Sequence, residues 1–368
     1  MNREFSYKFY KNTKEAWEAM YEALLSAEKS ILWETYILAD DISGQRFVDV
    51  LCSKASSGVD VRIIVDAIGS VDLSNKAVKR LRECHVKVLK FNDPWEFHWK
   101  IREWLYRVWT RSHRKILIID EEVSFVGGVN VENAALSWDD LQVRLTGRIV
   151  RQLVYRFAKD YSHSGGRKDE IRKWLRPKRV VLEHLKEKVK FILHYPVIFG
   201  RKSKFKSLYY KGLALAKDSF TLVTPYYTPD LDFLRLITEA HKRGVRVNII
   251  SPIRPDVWLF KILGKFFLQA SVKAGATVYL LPNMNHAKVM EVDNRIGTVG
   301  SANLTERSMS WNRESGVVFE EAQMIEELNV ILDDWKKQAT IMKEIMVERK
   351  GVWIDLWNRL IRFVSKYV

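Results

Sequence analysis

His113 and Lys115, followed by Asp120, form a His-x-Lys-x-x-x-x-Asp pattern that returns as His286, Lys288 and Asp293. The copies continue in step, through Gly127-Gly128-Val129-Asn130 in the first and Gly300-Ser301-Ala302-Asn303 in the second. A His and a Lys two apart on a strand point to one face, so each copy sets an imidazole beside an ammonium, and an anion belongs between them. The apolar runs 116–119 and 123–126 flank a turn, which reads as a β-hairpin. A two-residue loop at Glu121-Glu122 sets Lys115 opposite Gly128 and His113 opposite Asn130. A loop at Asn294-Arg295 likewise sets Lys288 opposite Ser301 and His286 opposite Asn303. In this register the small residue lets a phosphate approach the backbone, and each Asn donates a further hydrogen bond. Asp120 and Asp293 complete the pattern but fall at strand ends, where they read as turn or salt-bridge residues supporting the catalytic pair.

Exchange at a phosphodiester through a covalent intermediate needs one neutral imidazole as nucleophile and one imidazolium as acid for the leaving alkoxide. Two copies supply both. The two Lys and two Asn then hold the nonbridging oxygens as charge develops. The scheme calls for no metal and no cofactor, and the sequence carries no Cys/His or carboxylate cluster with metal-ligand spacing.

These residues resemble the phospholipase D superfamily and, within it, the bacterial cardiolipin synthase group. The likeness extends to the segments ILWETYILADDISG (31–44), GVDVRIIVDAIGS (58–70), TPYYTPD (224–230) and GVRVNIISP (244–252). Trp138-Asp139-Asp140 stands where the first half of that group has Trp-Arg-Asp. Arg307-Ser308-Met309 through Asn312-Arg313-Glu314 resembles its second-half Arg-Ser-Phe…Asn-Phe-Glu. The resemblance implies that Glu314 orients a His and that Asp140 is its first-half counterpart. Thr305 stands where the group has Asp, and Arg313 where it has an aromatic. By the same resemblance His113 becomes a phosphatidyl-histidine and His286 protonates the departing alcohol. The implied reaction is phosphatidyl transfer from a phosphatidylglycerol-like donor to a lipid alcohol. Hydrolysis by water at the same site is the alternative, and a metal-independent nuclease a more distant one, since nucleases of the superfamily are often one-motif chains.

The elements that must position these residues read as α/β twice over. Strands near 30–38, 61–66, 86–91, 113–119, 123–130 and 141–146 alternate with helices near 13–28, 45–56 and 74–84, with matching elements in 207–320 and a helix in 321–345. The expected architecture is two similar halves, each a mixed sheet flanked by helices, about a pseudo-two-fold axis with the active site at the seam. The boundaries fall at 1–164, a basic linker at 165–206, and 207–368.

Charge and aromatic placement bear on the partner. Lys and Arg number 61 against 45 Asp and Glu, a net +16, and 165–206 holds 14 basic against 4 acidic residues. Such a surface is drawn to anionic lipid. WEFHWKIREWLYRVW (95–109) holds four of the 13 Trp, with Phe97, Ile101, Trp104, Leu105 and Val108 on one helical face. A second stripe, Trp353, Leu356, Trp357, Leu360, Val364 and Tyr367, repeats the pattern in a C-terminal amphipathic helix at 352–368. Both follow the interfacial-helix pattern, and packing on the core is the competing reading. Nucleic-acid binders also mix Arg and aromatics, but line a sheet groove with them, which disfavours nucleic acid as partner. The longest membrane candidate, Phe191 to Phe199, falls below the roughly 20 residues a span needs, and the first residues lack an apolar signal region. Cys52 and Cys84 are the two cysteines; they suggest no disulfide framework and a reducing compartment. The resulting expectation is a peripheral protein on the cytoplasmic side of the cell membrane, acting on phospholipid.

Overall fold

The computed structural model describes residues 4–95, 100–175, 188–196 and 203–343. The chain forms two compact units, Met1–Leu193 with Val299–Ser301 and Arg313–Val317, and His194–Thr298 with Ala302–Asn312 and Val318–Val368.

The N-terminal sheet has seven strands: β1 (Tyr7–Asn12), β2 (Ser30–Thr35), β3 (Asp60–Asp66), β4 (Lys87–Phe91), β5 (Ile116–Ile119), β6 (Val123–Gly127) and β7 (Asp139–Thr146). Their spatial order is β1-β7-β6-β5-β2-β3-β4. β2, β3 and β4 run parallel, and β5 runs antiparallel to β2 with Glu34 opposite Ile116. Helices α1 (Thr13–Leu25), α2 (Ile42–Ser56), α3 (Asn75–Glu83), α4 (Ile101–Trp109) and α5 (Arg148–His163) connect or cover the strands. Side-chain caps start the first three: Asn12, Asp41 and Ser74 accept the N–H of Glu15, Gly44 and Ala77. Trp17 and Trp33 close on Phe47 beneath α2, with ring centroids 6.2 and 5.6 Å away. β1 and α5 go beyond the elements expected from the sequence. Residues 165–175, counted above with the linker, pack on this unit: Trp174 is buried and its indole N–H donates to Glu121 at 2.7 Å.

The second sheet follows β8 (Val189–His194) with α6 (Lys204–Leu215), β9 (Ser219–Val223), α7 (Leu231–Lys242), β10 (Arg246–Pro252), α8 (Trp258–Lys273), β11 (Thr277–Leu281), β12 (Val289–Val292), β13 (Ile296–Gly300), β14 (Glu314–Phe319), α9 (Ala322–Gln338) and β15 (Thr340–Ile341). Its order is β15-β11-β10-β9-β12-β13-β14-β8. β9, β10 and β11 are parallel, and β12 is antiparallel to β9 with Val289 opposite Val223. In each sheet the strand after a His-x-Lys therefore starts at the carboxyl edge of the parallel strands, the edge at which open α/β sheets place ligands. Among the described residues no helix is long and apolar enough to cross a membrane.

Asp120 and Asp293 do the same structural task twice. Asp120 accepts the N–H groups of Glu28, Lys29 and Ser30 at 2.9, 2.7 and 2.8 Å, which fixes the start of β2. Asp293 accepts those of Lys217, Asp218 and Ser219 at 3.0, 2.8 and 2.9 Å, at the start of β9. Partial burial pushes the Asp293 carboxyl up, but these three N–H donors and nearby Arg295 outweigh it and hold it below the usual carboxylate range.

Cys52 on α2 and Cys84 at the end of α3 are joined as a disulfide, with Cα atoms 5.1 Å apart. This corrects the sequence expectation and withdraws the cysteine argument for a reducing compartment. The bond exists because neighbouring crossover helices bring together positions 32 residues apart, a pairing without a local signature.

Asp293→Ala should lower stability by about 1–3 kcal/mol at neutral pH, because three N–H groups lose a charged acceptor. The parent's contribution is complete above a pH of about 4 and fades as pH falls through the depressed folded value, so urea midpoints of parent and variant should converge in acid. Reduction of Cys52–Cys84 should cost roughly 3–4 kcal/mol by the loop-closure relation, read as a lower urea midpoint with reductant.

Candidate active site

The first hairpin pairs Ile116 with Val126 and Ile119 with Val123, leaving a three-residue loop of Asp120, Glu121 and Glu122. The expected two-residue loop is therefore wrong by one, and the facing pairs inferred from it fall out of register. Its cause is backbone conformation: Asp120 and Glu121 lie in the left-handed region at φ 54° and 60°, and the Glu122 N–H closes on the Ile119 carbonyl at 3.0 Å. The second loop repeats this, with Asp293 and Asn294 at 54° and 52° and Arg295 N–H on Val292 at 2.9 Å. In both copies the His-x-Lys lies just before its strand.

His113 is positioned from two sides. Its N–H donates to the Arg313 carbonyl at 2.9 Å, and its Nδ1 lies 3.0 Å from a Glu314 carboxylate oxygen. With Nδ1–H donating to that carboxylate, Nε2 carries the lone pair. Tyr36 meets the imidazole edge-on at 4.7 Å. Lys115 Nζ donates to the carbonyl of His113 at 2.9 Å and sits 5.0 Å from the Tyr36 ring centre. Glu314 is fully buried and its carboxylate also receives the Ser301 hydroxyl.

The small residues answer to these acids. A side chain at Gly128 would collide with the Asp140 carboxylate, and Ser301 gives its hydroxyl to Glu314. Gly128 and Ser301 thus make room for, or bond to, an acid on the next strand, a reason for small residues there besides the expected approach of phosphate. Asp140 is buried and accepts the N–H of Leu141 at 2.7 Å.

The second half-site has the same grammar. Lys288 Nζ donates to the His286 carbonyl, and Tyr226 meets the His286 ring edge-on at 6.1 Å. Tyr226 stacks on Phe260 at 4.4 Å and gives its hydroxyl to Asp256 at 2.6 Å. Asn303 accepts a hydrogen bond from Thr224 at 3.4 Å, whereas Asn130 donates to Glu132 at 3.4 Å and its backbone carbonyl receives the Trp17 indole N–H at 2.8 Å.

Sequence reasoning missed a buried frame of charges around His113. Asp66 receives Ser112 N–H at 2.8 Å and lies 3.2 Å from Arg111 Nε; Glu34 receives the Ser112 hydroxyl at 2.5 Å. Arg114 pairs with Asp160 and stands 3.8 Å from Glu34, while Arg313 reaches Asp160 at 3.5 Å and lies over Phe91 at 4.2 Å. Burial drives the carboxyls of both Glu34 and Asp66 above their ordinary range, against the lowering pull of Arg114 and Arg111 respectively. The available signal was a Glu inside the otherwise apolar run SILWET and two Arg flanking Ser112-His113. Arg114→Ala should cost about 3–5 kcal/mol, measured by urea unfolding, because it strips a buried guanidinium from Asp160 and Glu34.

A family model described as "Cardiolipin synthase, PLD-like domain" matches residues 20–161 and 209–336. A probable cardiolipin synthase of Bacillus subtilis strain 168 is 27% identical over 96% of this chain and 70% of its own length. A cardiolipin synthase of Geobacillus thermodenitrificans is 30% identical over 90% of this chain and 66% of its own. The crystal structure of phosphatidylserine synthase from Haemophilus influenzae Rd KW20 shares the fold, with a TM-score of 0.73 at 16% identity, covering 98% of this chain and 95% of that one. A polyphosphate kinase from Porphyromonas gingivalis aligns at a TM-score of 0.59 and 12% identity over 54% of its chain, so the fold alone does not choose the substrate. With two matched segments that together take in both His-x-Lys copies, the chain belongs to the cardiolipin synthase, PLD-like domain family.

Proposed function

We propose that this protein is a phosphatidyltransferase of cardiolipin synthase type, passing a phosphatidyl group from a phosphatidylglycerol-like donor to a lipid alcohol. The observation that carries the reading is His113 held through Nδ1 by buried Glu314, the arrangement a nucleophilic imidazole needs. Nε2 of His113 forms a bond to phosphorus as the bond from phosphorus to the leaving glycerol oxygen breaks, and His286 gives that oxygen its proton. The acceptor hydroxyl then returns a proton to His286 while its oxygen bonds to phosphorus and the bond to His113 breaks. Lys115, Lys288, Asn130 and Asn303 hold the nonbridging oxygens; Asp140 is the first-half counterpart of Glu314 as an orienting carboxylate, by the parallel between the copies. Asp120 and Asp293 support the site through the strand starts they hold.

An anionic bilayer is the proposed partner, met peripherally. α4 has no buried residue, and Ile101, Leu105 and Trp104 are 68%, 54% and 39% exposed. This favours the interfacial reading of that stripe over a packed one. Residues 96–99 and the second stripe at 352–368 lie outside the described residues.

Purified protein given phosphatidylglycerol vesicles should release glycerol and form cardiolipin, read by mass spectrometry of the lipids. His113→Ala should abolish turnover, and His286→Ala should slow it by roughly 10²–10⁴-fold. Phosphatidic acid as sole product at every acceptor concentration would replace transfer by hydrolysis.

A further inference from the structure

The helix joining the last two parallel strands differs sharply between the two sheets. In the first, α3 turns Lys76, Lys79, Arg80, Arg82 and Glu83 outward, an ordinary solvated face. In the second, α8 reads WLFKILGKFFLQASVK and contains no acidic residue. Its inner side is core, with Phe260, Leu263, Phe267 and Leu268 buried. Its outer side is apolar as well: Trp258 is 70% exposed and Ile262 37%, and the approach from β10 adds Ile253 at 45% and Val257 at 41%. Arg254, Lys261 and Lys265 are exposed among them. Positions 258, 261, 262 and 265 share one helical face, so tryptophan, isoleucine and two ammonium groups form a single stripe.

We propose that the 253–265 segment is a docking surface for a bilayer containing anionic phospholipid. This deepens the proposed function and rests on it for the purpose of the contact. Trp favours the boundary between headgroups and acyl chains, Ile and Val enter the apolar layer, and Lys and Arg stay with the headgroup charge. A second copy of the same face would set like charges against one another, and of its four exposed apolar side chains Trp258 alone offers a base a ring to stack on, the other three being aliphatic. The preceding acid, Asp256, accepts the Tyr226 hydroxyl at 2.6 Å. The placement also suits the chemistry. Phe260, two residues beyond Trp258, stacks on Tyr226, whose ring borders His286, and the segment leaves the carboxyl edge of β10. A headgroup drawn to this stripe arrives beside the second half-site.

The test is flotation of the full chain with phosphatidylcholine vesicles, with and without phosphatidylglycerol. Trp258→Ala/Ile262→Ala should weaken binding at least about tenfold, since two apolar anchors are lost. Lys261→Glu/Lys265→Glu should remove the preference for phosphatidylglycerol vesicles. Thermal melting of each variant checks the fold, and sedimentation checks self-association. The proposal is overturned if folded variants float like the parent, if the parent ignores phosphatidylglycerol, or if the substitutions only dissociate a dimer. Flotation reads binding without turnover, so a chain that floats but makes no cardiolipin would sink the proposed activity and leave this surface standing.

Discussion

An imidazole and a carboxylate buried side by side constrain everything around His113. Taking Glu314 out of water carries a large desolvation cost, and Coulomb attraction offsets it only where the remaining lone pairs and protons also find partners. Several hydrogen bonds surround the pair. Ser301 bonds the carboxylate, Arg114 Nε reaches the Glu314 carbonyl at 3.3 Å, and the Arg313 carbonyl receives the His113 N–H. Arg114 and Arg313 share Asp160, while Arg111 and Ser112 lead to Asp66 and Glu34. Each charge in the frame is tolerable because of the next one, so His113 is held by a network of ion pairs and hydrogen bonds.

The two copies keep one plan and differ in what surrounds it. A strand-starting Asp, a turn with two left-handed residues, a Lys that clasps the carbonyl of its own His, and a tyrosine edge against the imidazole occur in both. The local environment then diverges. Ala287 stands at the place of Arg114, so the second copy has no counterpart of that buried guanidinium. The second half-site instead leans on Tyr226, which ties His286 to Phe260 on α8 and to Asp256 just before it. The proposed division of labour between the two imidazoles calls for unequal surroundings of this kind.

Much of the fold was legible because its signals are local. Apolar runs such as ILII at 116–119 announce strands, and the helix expected near 13–28 is found at Thr13–Leu25. Less local features were misread. The hairpin loop came out one residue short because the conformation of Asp120 depends on three N–H groups 90 to 92 positions away, at Glu28, Lys29 and Ser30. The packing of Gly128 on Asp140 was not legible, because nothing nearby in sequence places that acid against it.

The sequence by itself determined the chemistry on offer: two His-x-Lys pairs at matched spacing, the sheet elements that carry them, and the aromatic stripe of α4. Side-chain type and periodicity are written in neighbouring residues, so these need no knowledge of the fold. Only the tertiary structure decided the register of the hairpin, the disulfide between Cys52 and Cys84, the frame of buried charges, and which histidine Glu314 meets. Glu314 lies 201 residues from that histidine, and a hydrogen bond over such a separation is set by how the whole chain packs.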